Sequence, residues 1–198
     1  MLAGFASRTA IAEEPLLADA ALQRVGLARY WEARLPMAAG HGVRAGYLVD
    51  EALYVTADNG FLYALKADVG LLRWAERLTE PDYTIYPPTH VQASDGKGPV
   101  LIPTTTGVFL YDRFNGGRLR QFITPFPVSG PILAGNGRLL AGSVDGRFYA
   151  LRWDADSGQA PFTPWEVAAD GPITTAPVLV TPRKLVFATQ GGSVYACG

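Results

Sequence analysis

The sequence predicts an all-β chain built by repeating one four-stranded unit, and three observations carry that expectation. Short runs of β-branched and aromatic residues are separated by the turn pairs Asn59-Gly60, Asp145-Gly146 and Gly191-Gly192. Such pairs are the strongest short-range hairpin signal, because both central residues must tolerate positive φ. The hairpin text then recurs: Tyr54 to Leu65 is echoed by Leu140 to Leu151 and by Phe187 to Cys197. Lastly, 22 Gly and 15 Pro among 198 residues, with 48% hydrophobic and 11% aromatic content, suit short strands joined by many turns rather than a helical bundle.

The chain opens differently. Ala10-Ile11-Ala12 has the small-x-small pattern of a signal-peptidase site, after a short apolar stretch interrupted by Arg8. From Glu13 to Leu27 a short helix is expected, started by Pro15 behind two acids and stopped by Gly26. Residues 1–28 therefore read as an N-terminal arm and 29–198 as the β domain.

Arg29-Tyr30-Trp31-Glu32-Ala33-Arg34-Leu35 resembles Arg73-Trp74-Ala75-Glu76-Arg77-Leu78, with Trp165-Glu166-Val167 as a shorter copy and Phe122 filling the aromatic place between them. The turn glycines Gly60, Gly107, Gly146 and Gly192 are spaced by 47, 39 and 46 residues. A period of about 40 to 50 residues with four short strands per unit is the sequence mark of a β-propeller blade. Blade one is expected at 43–49, 52–56, 61–66 and 71–77, and blade two at 89–93, 100–104, 108–112 and 118–123. Blade three follows at 130–134, 139–143, 147–153 and 163–167. Blade four has strands at 176–180, 185–189 and 193–197, without an outer strand. The leading copy, Tyr30–Leu35, is expected to supply it and close a small ring of about four blades, removing a bare sheet edge. Pairing with a second copy into an eight-bladed ring, and membership of a longer array, remain the alternatives.

These residues resemble the PQQ-like repeat propellers, the family of BamB-like outer-membrane assembly lipoproteins and quinoprotein dehydrogenases. The family repeat, roughly Gly-x-Leu-Tyr-Ala-Leu-Asp-Ala-x-Thr-Gly-x-x-x-Trp, is matched here at Gly60, Leu62, Tyr63, Ala64, Leu65, Ala67, Gly70 and Trp74, with Lys66 and Val69 departing from it. The third copy keeps Gly146, Tyr149, Ala150, Leu151 and Gly158, and the fourth keeps Gly192, Tyr195 and Ala196. The resemblance implies a packing role for the motif: Trp31, Trp74, Phe122 and Trp165 dock one blade on the next, with the turn glycines supplying the corners.

Catalytic readings find little support in the residues. The resemblance implies that a quinoprotein dehydrogenase would carry a larger ring, a calcium site of Glu, Asn and Asp, and an Asp base, none of which is visible here. Asp154, Asp156, Ser157 and Gly158 read as a turn, without the glycine and glutamate of an EF-hand. No Gly-x-Ser-x-Gly elbow and no phosphate loop occur, and neither His41 nor His90 has a carboxylate partner close in sequence. A single Cys197 excludes an internal disulfide and, with two histidines, argues against a zinc site. The 17 basic residues against 18 acidic ones are scattered, which argues against nucleic acid. No apolar run approaches the roughly 18 residues that span a bilayer.

Binding is the remaining class. The loop Thr79 to Pro88 holds Tyr83 and Tyr86 between prolines, and Phe126 and Phe162 sit in similar Pro-framed loops. Aromatics held this way are good contact residues. The expectation is a non-catalytic scaffold or protein-binding module of the bacterial cell envelope, in the periplasm or another extracytoplasmic compartment, with no cofactor, no metal and an unidentified protein partner. A PQQ-dependent oxidoreductase, or a fragment of one, is the alternative.

Overall fold

Hairpins set the architecture of the computed structural model, which describes residues 18–91, 97–135, 137–152 and 162–198. The signal-like residues 10–15 and the turn 154–158 lie outside them. Among the described residues fifteen strands form four antiparallel sheets. The first is β1 (Val43–Val49), β2 (Ala52–Ala57), β3 (Phe61–Lys66) and β4 (Leu72–Arg77), and the second is β5 (Thr89–His90), β6 (Val100–Thr104), β7 (Gly107–Tyr111) and β8 (Arg118–Ile123). The third is β9 (Leu133–Gly135), β10 (Arg138–Gly142), β11 (Arg147–Arg152) and β12 (Phe162–Ala168); the fourth is β13 (Val178–Thr181), β14 (Lys184–Ala188) and β15 (Val194–Cys197). Each sheet is a meander in chain order, so the sheets are four blades.

Contacts divide the chain into Met1–Glu32 and Ala33–Gly198, and all four sheets belong to the second unit. In the first unit α1 (Asp19–Arg24) starts later than expected, and Gly26 at φ 73° ends it, with Leu27 N–H donating to Leu22 O (2.9 Å). Among the described residues no helix is long and apolar enough to cross a membrane.

Each pair of successive sheets encloses an apolar seam. Between the first and second lie Tyr54, Leu62, Ala64, Trp74, Leu78 and Ile85 against Val100, Ile102, Phe109 and Tyr111. Leu101, Val108, Leu110 and Phe122 meet Leu139, Ala141, Tyr149 and Leu151 in the next. In the third seam Leu140, Phe148 and Ala150 meet Ile173, Leu185 and Phe187. Stacked rings run through them: Trp74 on Tyr111 (5.6 Å), Phe126 on Tyr149 (3.7 Å) and Phe148 on Phe187 (4.4 Å).

The repeat motif has a direct structural counterpart. Trp74 pairs across the strands with Ala64, and Trp165 with Ala150. Trp74 is only 7% exposed, donates from Nε1 to the Arg113 carbonyl (3.1 Å), and covers Gly116, whose φ is 72°. A Cβ on Gly116 would stand 2.6 Å from the tryptophan side chain. Trp165 is 41% exposed, on a cavity of about 180 Å³ that Leu179, Leu185 and Cys197 also line. Trp31 belongs to the first unit and is half-buried.

Three expectations need correcting. Gly107 is not a turn glycine: Gly60, Gly146 and Gly192 have φ of 79°, 75° and 92°, whereas Gly107 lies inside β7, opposite Ile123. Thr105 and Thr106 make that turn instead, and Gly107 is kept small because a Cβ would meet the Phe122 carbonyl at 2.3 Å. Phe122 is buried, but it pairs with Val108; the place of Trp74 in the second sheet is taken by Arg120, opposite Leu110. Finally, residues 30–35 form no strand, and among the described residues the fourth sheet has three strands. Ala33, Leu35 and Met37 pack instead on the outer face of the first sheet, against Val55, Ala57, Tyr63 and Leu65.

Candidate interaction surface

The connector from β4 to β5 is a strap fixed at several points, which is what turns its loop aromatics into a defined surface. Leu78 N–H donates to Gly60 O (2.9 Å), and Tyr86 N–H donates to Pro103 O (2.9 Å). Thr84 N–H donates to Thr105 Oγ1, and Thr105 N–H returns a bond to Thr84 O, both at 3.1 Å. Ile85, buried, bridges to Thr104. Rigid mounting lowers the entropy lost when a partner binds.

Tyr83 stands out from this strap, 43% exposed. It lines a groove of about 300 Å³ with Arg77, Thr79, Glu80, Thr106, Phe109 and Gln121. At the rim, Arg77 Nη2 donates to Glu80 Oε2 (2.7 Å). The groove combines an aromatic anchor, an apolar floor at Phe109 and a charged rim, the composition of a protein contact site.

The other proposed contact residues are placed differently. Tyr86 is half-buried against the seam between the second and third sheets. Phe126 is 6% exposed, so its Pro-framed loop points the ring into the core, where it stacks on Tyr149. Burial, and then the bond its hydroxyl donates to Asp145 (2.8 Å), push the Tyr149 phenol up to about 12. Phe162 lies in β12, with its side chain outside the described part of the structure.

A charged cluster that sequence reasoning missed sits at the end of the seam between the first and second sheets. His90, a few residues past the strap, has Nε2 2.8 Å from Tyr54 Oη, and Nδ1 2.8 Å from Asp50 Oδ2 and 3.0 Å from Arg113 Nη1. Nδ1 cannot donate to Asp50 and accept from Arg113 at once, so the tautomer of the ring decides which of the two it bonds. Glu51 Oε1 faces Arg73 Nη1 at 3.6 Å and Arg113 Nε at 3.8 Å. Both guanidinium groups lie over Phe114, at 5.5 and 4.9 Å. Burial pushes the Glu51 carboxyl up, but its own backbone and the charges of Arg113, His90 and Arg73 outweigh this and hold it below the usual range. Burial, with Glu51 next, raises the Tyr54 phenol well above its ordinary value.

Asp50, Glu51 and His90 offer ligand atoms within 4.8 Å of one another. A divalent cation there would compete with Arg73 and Arg113 for Glu51 and meet their charge, so the donor set suits an ion-pair latch between sheets better than a metal centre. The partners are 40 residues apart in sequence, which hid them; His41, likewise, meets Asp58 at 3.0 Å. The available signal was the acidic pair Asp50-Glu51 at a hairpin tip, with Asp50 at φ 50°.

No protein-family model matches this chain, and no curated protein matches it in sequence. Solved structures do match. BamB from Moraxella catarrhalis superposes with a TM-score of 0.60 at 22% identity, over 84% of this chain and 48% of its own. The computationally designed Ika8 protein gives 0.57 at 14% identity, over 78% of this chain and 45% of its own. The computationally designed Ika4 protein gives 0.58 at 14% identity, over 85% of this chain and 96% of its own. The chain thus spans about half the length of BamB and of Ika8. At such identities the likeness is one of fold: the chain is a β-propeller of four blades.

Proposed function

We propose that the chain is a non-catalytic, protein-binding scaffold of the PQQ-like repeat type, working in the extracytoplasmic envelope of a bacterium. The carrying observation is Tyr83, exposed on a strap that the backbone fixes to two sheets, at the mouth of a groove with a charged rim. The fold likeness to BamB supports the scaffold reading, and the repeat resemblance supports the envelope. The polar residues most suited to chemistry already have structural partners: His90 ties the second sheet to the first through Tyr54 and Asp50, and His41 is held by Asp58 at the edge of the first sheet.

Photo-cross-linking from benzoylphenylalanine placed at Tyr83, in cells, tests the surface. Discrete protein adducts are expected, weakened by Glu80→Lys at the rim. Adducts absent from Tyr83 but present from other exposed positions would remove this groove from the reading. Separately, the purified protein titrated with PQQ and calcium should keep the spectrum of the free quinone. Stoichiometric quinone binding would replace the scaffold by the oxidoreductase.

A further inference from the structure

The seam between the first and second sheets holds a row of oxidisable rings, and one of them touches a base. Trp74 stacks on Tyr111 with centroids 5.6 Å apart and leans on Tyr54 at 6.1 Å. Tyr54 is wholly buried, and Trp74 and Tyr111 nearly so. The Tyr54 hydroxyl meets His90 Nε2 at 2.8 Å, and His90 Nδ1 lies 2.8 Å from Asp50 Oδ2. The His90 side chain is 6% exposed and that of Asp50 68%, so a line of hydrogen bonds leads from a sealed phenol to solvent. Blade docking explains the indole but not this line, which joins β2, β5 and the β1–β2 tip.

What each polar group touches sets the rings apart. A ring that loses an electron inside an apolar seam becomes a buried cation, which is costly unless a proton leaves as well. Trp74 Nε1–H donates to the Arg113 carbonyl (3.1 Å), and an amide oxygen is too weak a base to take that proton. Tyr111 is bonded to Arg118, and a guanidinium has no acceptor and keeps its charge. Tyr54 differs. In the tautomer that donates Nδ1–H to Asp50, His90 turns its Nε2 lone pair to the Tyr54 hydroxyl, a base placed on the proton. Burial, with the Glu51 charge next, raises the Tyr54 phenol, so phenolate does not form first and electron and proton leave together. Imidazolium at His90 is opposed by Arg113, 3.0 Å from Nδ1, and favoured by Asp50; passing the Nδ1 proton on to Asp50 relieves it.

We propose that Tyr54, with His90 as its proton acceptor, is a redox-active tyrosine, to which a hole placed on Trp74 by a diffusible one-electron oxidant moves. The oxidant takes one electron from Trp74. The indole recovers it from Tyr54 as the Tyr54 O–H bond breaks, with the proton passing to His90 Nε2 and the His90 Nδ1 proton passing to Asp50. The products are a reduced oxidant, an intact indole and a neutral tyrosyl radical, one electron and one proton short of the phenol. A one-electron donor and a returning proton restore it. The site is thus a reversible sink that spares the docking indole from irreversible oxidation. The inference rests on the packing of this seam and not on the Tyr83 surface.

Flash photolysis of the purified protein with ruthenium tris-bipyridine and persulfate supplies the oxidant. Optical and electron paramagnetic resonance detection should show an indole radical that decays as a tyrosyl radical rises, more slowly in heavy water than in ordinary water. Tyr54→Phe keeps a ring in the seam and should remove that tyrosyl signal and prolong the indole radical. Trp74→Phe should leave only indole radicals that do not feed Tyr54. His90→Gln keeps a hydrogen-bond acceptor but cannot carry the proton, and should slow the transfer several-fold. Thermal melts of each variant establish that the seam is folded before rates are compared. A tyrosyl yield unchanged in Tyr54→Phe overturns the proposal, because it assigns the radical to exposed rings such as Tyr30 and Tyr83. Equal rates in heavy and ordinary water, read on the unaltered protein, overturn it as well, as does a transfer that His90→Gln leaves unchanged.

Discussion

Trp74 stacks on Tyr111, leans on Tyr54 at 6.1 Å, donates to the Arg113 carbonyl and lies across Gly116. Its ring thus fills the seam from the first sheet while its N–H is satisfied by the second. Trp74→Ala should cost about 3–5 kcal/mol, since the seam is made by several rigid strands that cannot collapse into the space. Gly116→Ala should also destabilise, because φ of 72° disfavours a Cβ that must in addition displace the indole. The two changes act on one contact, so the double variant should cost less than the sum of the singles. Trp165→Ala is the control: with its ring 41% exposed, it should cost clearly less than Trp74→Ala. Urea denaturation of the four variants measures these differences, and equal costs at Trp74 and Trp165 would contradict the docking role given to Trp74.

Most elements were legible because hairpins are local. Asn59-Gly60 and Asp145-Gly146 fix turn and register together, and the strands around them fall within a residue or two of expectation. What was not legible depended on tertiary contacts. Gly107 looked like a turn glycine, but its size answers to the Phe122 carbonyl on a neighbouring strand. Phe126 looked like a loop contact, yet the ring of Tyr149, on another blade, draws it inward. His90 gained its carboxylate only when the β1–β2 tip was folded beside it. The connector before the last blade shows the same cross-linking of elements. Asp170 accepts hydrogen bonds from Ser193 and Thr189, and its backbone N–H donates to Tyr195 Oη (3.2 Å), tying the connector to the β14–β15 hairpin. The Ser193 bond first, and then that of Thr189, hold the Asp170 carboxyl below its ordinary 3.8. A carboxylate with a depressed folded pKa stabilises the fold above the unfolded value and loses that contribution as pH falls through the folded one. Asp170→Asn should therefore lower stability at neutral pH, and the gap to the unaltered protein should narrow as pH falls below about 4. Thermal melts of both proteins from pH 7 to pH 3 check this; a gap independent of pH would assign the cost to packing instead.

On the scale of the whole molecule, stability should be distributed by the number of seams a sheet shares. The second and third sheets have a neighbour on both faces, and β6 and β7 are buried along their whole length. Among the described residues the fourth sheet shares one seam, and β13 and β15 mix exposed with half-buried residues. Amide protection follows the cost of the opening that exposes each N–H, which rises with buried apolar contact. β6, β7, β10 and β11 should exchange slowest, by global unfolding, and β13 and β15 fastest, by local opening. Hydrogen exchange followed by mass spectrometry reads this order directly. Protection in β15 equal to that in β7 would mean that the fourth sheet is held by more than the seam it shares with the third.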